Sequence, residues 1–255
     1  MVKQIALRQR IRKALIIIAF LSFPITMNYL SPYVIIDGAS QGVINGSLVM
    51  FALMFISSLF LGRLWCGWIC PAGGLQEMVE PLNRAALNGR RIDWIKWLIW
   101  IPWISMIVWL VFQAGGYRQI NLLLDTQNGI SLAGSADRPI EYAYVIYYGV
   151  VALIFGLAVF VGRRGFCHTA CWMAPFMMMG LWLRNRLGWP SLRLRAQADG
   201  CTNCKSCTRG CPMSLDVNAM VQAENMQNLE CILCGTCVDN CPAKVIAYTF
   251  SAGKK

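Results

Sequence analysis

The chain has 255 residues, of which 57% are hydrophobic and 14% charged, and a formal net charge of +11. Water-soluble domains carry about half apolar and a quarter charged residues, so this balance points to a membrane protein. The basic excess lies beside apolar stretches, where topology and anionic headgroups account for it, and nucleic acid is therefore not expected as a partner.

Four apolar stretches follow in chain order, at 14–30, 43–65, 94–113 and 141–161. Each is close to the ~20 residues that cross a bilayer core, and the expected fold is a polytopic α-helical membrane protein with four transmembrane helices. The first stretch begins with basic residues, as a secretory signal does. It lacks a small-residue cleavage site, so it reads as an uncleaved span. Lys3, Arg8, Arg10, Arg12 and Lys13 precede it. Arg63, Arg84, Arg90, Arg91 and Lys96 lie between spans two and three, and Arg163, Arg164, Arg184, Arg186, Arg193 and Arg195 follow span four. Only Arg118 and Arg138 fall in the loops on the other side. The positive-inside rule then places both termini in the cytoplasm, a reducing compartment.

Spans two and four end in related segments. Gly62-Arg63-Leu64-Trp65-Cys66-Gly67-Trp68-Ile69-Cys70 answers Gly162-Arg163-Arg164-Gly165-Phe166-Cys167-His168-Thr169-Ala170-Cys171: Gly-Arg, a short gap, then Cys-x3-Cys. A repeat of this kind implies two helical hairpins related by a pseudo-twofold axis along the membrane normal. On a continuous helix, residues four apart share a face, so each motif would present two sulfurs in one direction and the four would converge. Cys66, Cys70, Cys167 and Cys171 then admit three readings: an additional metal or iron–sulfur site, a redox-active dithiol system, or packed core thiols. Pro71 directly follows Cys70, whereas Trp172-Met173-Ala174 separate Cys171 from Pro175, so the second copy is expected to run on as helix for another turn. Met173, Met177, Met178 and Met179 read as the apolar face of an interfacial helix over 172–187, with Arg184 and Arg186 at the headgroups. Trp94, Trp97, Trp100, Trp103 and Trp109 read as interfacial belt and bundle packing.

The tail carries the other eight cysteines in two copies of one pattern, Cys201-x2-Cys204-x2-Cys207-x3-Cys211-Pro212 and Cys231-x2-Cys234-x2-Cys237-x3-Cys241-Pro242. This is the ligand run of bacterial two-cluster ferredoxins, in which the fourth cysteine of each run serves the other cluster. Cys201, Cys204, Cys207 and Cys241 are therefore assigned to one 4Fe–4S cluster, and Cys211, Cys231, Cys234 and Cys237 to a second. Zinc knuckles lack this doubled three-plus-one syntax. The expected domains are a four-helix transmembrane unit over 1–187, a linker over 188–195 and a two-cluster ferredoxin unit over 196–255.

Taken together, Cys66-x3-Cys70-Pro71, Cys167-x3-Cys171 and the two ferredoxin runs, in that order over nearly the whole chain, resemble the NapH-type quinol dehydrogenase membrane components and their NosR- and FixG-like relatives. One departure is Trp172, where the family's second motif has proline. The resemblance implies an electron-transfer subunit in a bacterial or archaeal cytoplasmic membrane, with the ferredoxin unit cytoplasmic. Its partners would be lipid, quinone or quinol, and a redox protein or reductase subunit. A second implication, from the FixG-like branch, is a metal-reducing or assembly factor for another redox enzyme. The long loop 114–140, with Asp125, Asp137 and the adjoining Glu141, is a place to cap a quinone pocket or dock a partner. His168 is the only histidine, so a bis-histidine b-type haem is not expected within the chain. Inside Cys167-His168-Thr169-Ala170-Cys171 it is a candidate catalytic residue, able to relay protons, hydrogen-bond a cluster sulfur or contact a quinone.

Overall fold

The computed structural model describes residues 6–87, 92–131 and 140–253. Lys3, Arg90, Arg91, Asp137 and Arg138, used above, lie outside the described residues.

Among the described residues two helices are long and apolar enough to cross a membrane, fewer than the four expected. They are the third and fourth stretches, here α7 (Ile95–Gln113) and α8 (Ile140–Phe160). Their outward faces are bare: Phe112 is 80% exposed, Val145 70% and Phe160 86%. An apolar belt of that extent needs an apolar neighbour.

The first two stretches are interrupted. Helix α1 (Leu7–Leu21) stops at Ser22, and Pro24 then sits in the first turn of a short helix α2 (Phe23–Thr26), followed by a 3-10 turn at Asn28–Leu30. Proline is tolerated there but not in a helix interior. Helix α3 (Pro32–Gln41) starts on Ser31, whose side chain accepts from the Val34 N–H, and ends at Gly42 with φ +67°. Strand β1 (Val43–Asn45) pairs in parallel with β2 (Gln119–Asn121), which ties the long loop to the first half of the chain. Buried Asn45 caps α4 (Gly46–Leu61) by accepting from the Leu48 N–H at 2.9 Å. Gly62, at φ +62° and ψ −146°, ends it. Its 16 residues rise about 24 Å, short of the ~30 Å hydrocarbon core.

Each cysteine motif has the same build. A five-residue helix places the first cysteine at its third position, α5 (Leu64–Trp68) and α9 (Gly165–Thr169). After a break comes a second helix, α6 (Pro71–Met78) or α10 (Ala174–Leu187). Helix α6 packs on α1 and α8, and α10 packs on α4 and α7, so each packs against helices of both halves.

The expected linker is mostly strand. Ser191–Ala196 forms β3, antiparallel to β4 (Ile246–Ser251), with Ser191 opposite Ser251. Helices α11 (Ser206–Arg209), α12 (Val217–Gln222) and α13 (Thr236–Asn240) complete the C-terminal unit.

Candidate iron–sulfur centres

Cys201, Cys204, Cys207 and Cys241 line one cavity, together with Pro242. Cys211, Cys231, Cys234 and Cys237 line a second. The backbone makes this possible with left-handed residues on both sides of the central cysteine of each run: Asn203 (φ 57°) and Lys205 (φ 56°) around Cys204, Leu233 (φ 50°) and Gly235 (φ 75°) around Cys234. Leu233 pays a steric cost in this region. Its carbonyl is fixed there by two donors, Trp68 Nε1 at 3.1 Å and the Tyr248 hydroxyl at 2.7 Å.

The second cradle is the inner one, lying against the motifs. Gln9 Nε2 donates to Cys234 O at 3.0 Å, and a Cβ built on Gly67 of α5 would overlap the carbonyl oxygen of Ile232. No side chain therefore separates the first motif from the inner loop. Burial pushes the Cys231 thiol up to about 11 and Cys211 up to about 12. Such thiols become ligands only when a metal compensates the thiolate charge. In the outer cradle Cys204 is exposed, and hydrogen bonding from the Ser206 backbone lowers its pKa.

The four motif cysteines gather at one buried site, but not as two sulfurs on one helix face. Cys66 lies in α5, and Cys70 is the residue that caps α6. Cys167 lies in α9, and Cys171 falls in the break before α10, where the expected extra helical turn is absent. All four are buried and free. Each interacts electrostatically with cysteines of the opposite motif. Cys66 Sγ lies 3.5 Å from Met177 Sδ, and Cys167 Sγ accepts from Gln76 Nε2 at 3.2 Å.

Two observations narrow the chemistry. A dithiol exchanger needs accessible thiols of lowered pKa, whereas burial pushes Cys70 and Cys66 up, and Cys171 up to about 12. A tetrahedral zinc–thiolate site places its sulfurs about 3.8 Å apart, from 2.3 Å bonds. Among the described residues the group of three or more potential ligand atoms within 4.8 Å of one another is Asp93, His168 and Glu230, and it contains no cysteine. A cubane, whose thiolates radiate from four separate irons, does not require sulfurs that close.

Charge surrounds this site. Arg164 pairs with Glu77, which Arg12 also grips at 2.8 Å through two parallel bonds. Burial alone would raise the Glu77 carboxyl, but Arg164 and Arg12 outweigh it and hold it down at about 2. Arg63 pairs at 2.7 Å with Glu230, and Lys96 Nζ binds the other oxygen of the same carboxylate. Burial again opposes, and Arg63 and Lys96 again prevail, holding Glu230 at about 2. The ammonium of Lys96 thus occupies the carboxylate side of the Asp93–His168–Glu230 group. His168 is fully buried, with Nδ1 2.6 Å from Asp93 Oδ1 and Nε2 unpartnered among the described residues.

A 4Fe-4S binding domain model matches residues 46–88 and 142–190, which takes in both Cys-x3-Cys motifs, and a 4Fe-4S dicluster domain model matches residues 200–246. Among curated relatives, the putative electron transport protein YccM of Escherichia coli is 26% identical over 87% of this chain and 60% of its own length. The nitrogen fixation protein FixG of Rhizobium meliloti is 28% identical over 78% of this chain and 41% of its own. The ferredoxin-type protein NapH of E. coli is 24% identical over 90% and 78%. This is a NapH/FixG-like protein. No solved structure matches it.

In this NapH/FixG-like chain the residues missed from sequence are the buried ions. Arg63 and Arg164 each stand three places before the first cysteine of a motif, so the register of the repeat runs through Arg164. Arg163, aligned with Arg63 by the shared Gly-Arg, instead reaches the surface, to Glu80 and Arg209 O. Met173, Met177 and Met178 are buried rather than interfacial, and buried Arg184 donates to Leu192 O. Trp100 and Trp103 of α7 meet Phe176 of α10 edge-on.

Proposed function

We propose that this chain is a membrane-embedded electron relay between the quinone pool and a cytoplasmic redox partner. The carrying observation is the direct packing of α5 on the inner cradle at Gly67. That contact sets the three groups of cysteines in one order: motif site, inner cradle, outer cradle with exposed Cys204. Filled with 4Fe–4S clusters, cysteine sets of this type supply one-electron carriers.

In this reading four segments cross the bilayer as two related hairpins. The first pair is α1 with its continuation to Leu30, and α4; the second is α7 and α8. Supporting it are the shared build of the two motifs, the exposed apolar faces of α1, α4, α7 and α8, and the placement of basic residues at the motif end. The four buried motif cysteines would hold a third cluster, an assignment supported by their gathering at one buried site and by the 4Fe-4S binding model that spans them. Asp93 accepts from Nδ1–H of His168, which leaves Nε2 of the neutral ring as an acceptor for a quinol hydroxyl.

Quinol added to proteoliposomes containing the purified protein should bleach the iron–sulfur absorbance, with roughly twelve irons per chain if three cubanes are present and eight if two. Clusters that dithionite reduces but quinol does not would reject the quinone-linked reading in favour of a metal-reducing or assembly role.

A further inference from the structure

The arginine three residues before the first cysteine occurs in both motifs, yet the fold uses its two copies differently. Arg63 is 1% exposed and Arg164 2%, each binds a buried carboxylate, and each retains an Nε–H without a partner among the described residues. Arg164 stays within the bundle, donating to Cys66 O at 2.9 Å and pairing with Glu77. Its field reaches Cys66, Cys70 and Cys167. Arg63 turns toward the C-terminal unit. Its Nη1 donates to Leu229 O at 3.0 Å and to Glu230 Oε2 at 2.7 Å, on the two residues immediately before Cys231. Its field reaches Cys66 and Cys171 on one side and Cys231 on the other.

We propose that Arg63 is a positioning residue shared by the motif site and the inner cradle, raising the reduction potential of both, while Arg164 acts on the motif site alone. The inference rests on the reading that both sites hold clusters. Reduction adds a negative charge, and a buried guanidinium stabilises that charge strongly where the dielectric is low. Arg184 provides the complementary case. It is buried, forms no pair with a carboxylate among the described residues, donates to Leu192 O in β3 of the C-terminal unit, and acts electrostatically on Cys231.

The test is a redox titration of full-length protein in detergent, followed by electron paramagnetic resonance, for wild type, Arg63→Gln, Arg164→Gln, Arg184→Gln and Arg63→Lys. Arg63→Gln should lower the midpoints of both sites, each by a tenfold change in the oxidised-to-reduced ratio, which is about 59 mV for a one-electron couple. Arg164→Gln should lower only the motif site, Arg184→Gln only the inner cradle, and Arg63→Lys should keep both near wild type. Should Arg63→Gln not fold, the double variant with Glu230→Gln removes the buried pair as a unit and should still lower the motif-site midpoint. Normal wild-type signals with unshifted midpoints in Arg63→Gln, or an inner-cradle shift in Arg164→Gln equal to that in Arg63→Gln, overturn this inference alone. Wild-type protein without cluster signals overturns the cluster reading itself, and this inference with it.

Discussion

The two cysteine cradles of the C-terminal unit share one sequence pattern and differ in almost everything around it. The inner cradle is tied to the bundle from three elements: Gln9 of α1, Trp68 of α5 and Lys96 of α7, with Arg63 between them. The outer cradle meets it mainly through Arg163, which donates to Arg209 O, and leaves Cys204 in solvent. Identical ligand spacing therefore serves two tasks, a fixed junction and an accessible terminus, and the neighbours decide which.

The largest expected break in that contrast comes from the ligands. Cys237→Ala should remove the inner site and loosen the whole C-terminal unit, seen as loss of more than half its iron and rapid proteolysis after residue 188. Cys204→Ala should lose about four irons, one cubane's complement, while the unit stays docked. Next comes the ion pair. Glu230→Gln strands Arg63 and Lys96 in the interior and should cost about 3–5 kcal/mol in thermal unfolding. Glu224→Gln, which keeps an acceptor for the exposed bond from Ala198 N–H and loses only its charge, should cost under about 1 kcal/mol.

Acid probes the bundle side of the junction. Glu77 titrates at about 2 when folded against an ordinary 4.5, so the folded state binds fewer protons there. Its stabilisation is complete above about pH 4.5 and fades as the pH falls toward 2. About 3 kcal/mol is at stake by linkage, and unfolding midpoints of wild type should converge on those of Glu77→Gln across that window. The smallest contrast is steric. Gly67→Ala forces α5 off the Ile232 backbone and should cost about 1–3 kcal/mol. Gly210→Ala near the outer cradle meets chiefly the side-chain end of Asn240, which can swing away, and should be the milder of the two. Equal losses from the two glycine variants would argue that the inner contact is not tight.

Much of the site was legible in the sequence. Cysteine spacing grouped the eight tail cysteines as the two cavities group them, and the repeat brought Cys66, Cys70, Cys167 and Cys171 together. The span pattern was less so. Apolar content marks 14–30 and 43–65 as strongly as 94–113, but it does not register that Pro24, Asn45 and Gly62 start and stop helices. The charges misled in a different way. Arg12, Arg63, Lys96 and Arg164 read as membrane-flanking cations, yet all four are buried and paired, because their carboxylate partners Glu77 and Glu230 come from distant segments.

By itself the sequence determined which cysteines fall into which group, because residue type and short-range spacing are local properties of the chain. Only the tertiary structure decided which cradle faces the bundle, how two broken helices deliver the motif cysteines to one place, and which copy of a repeated arginine reaches across to Glu230. Those are long-range contacts, and a charge or a glycine acquires its role only when another segment is packed against it.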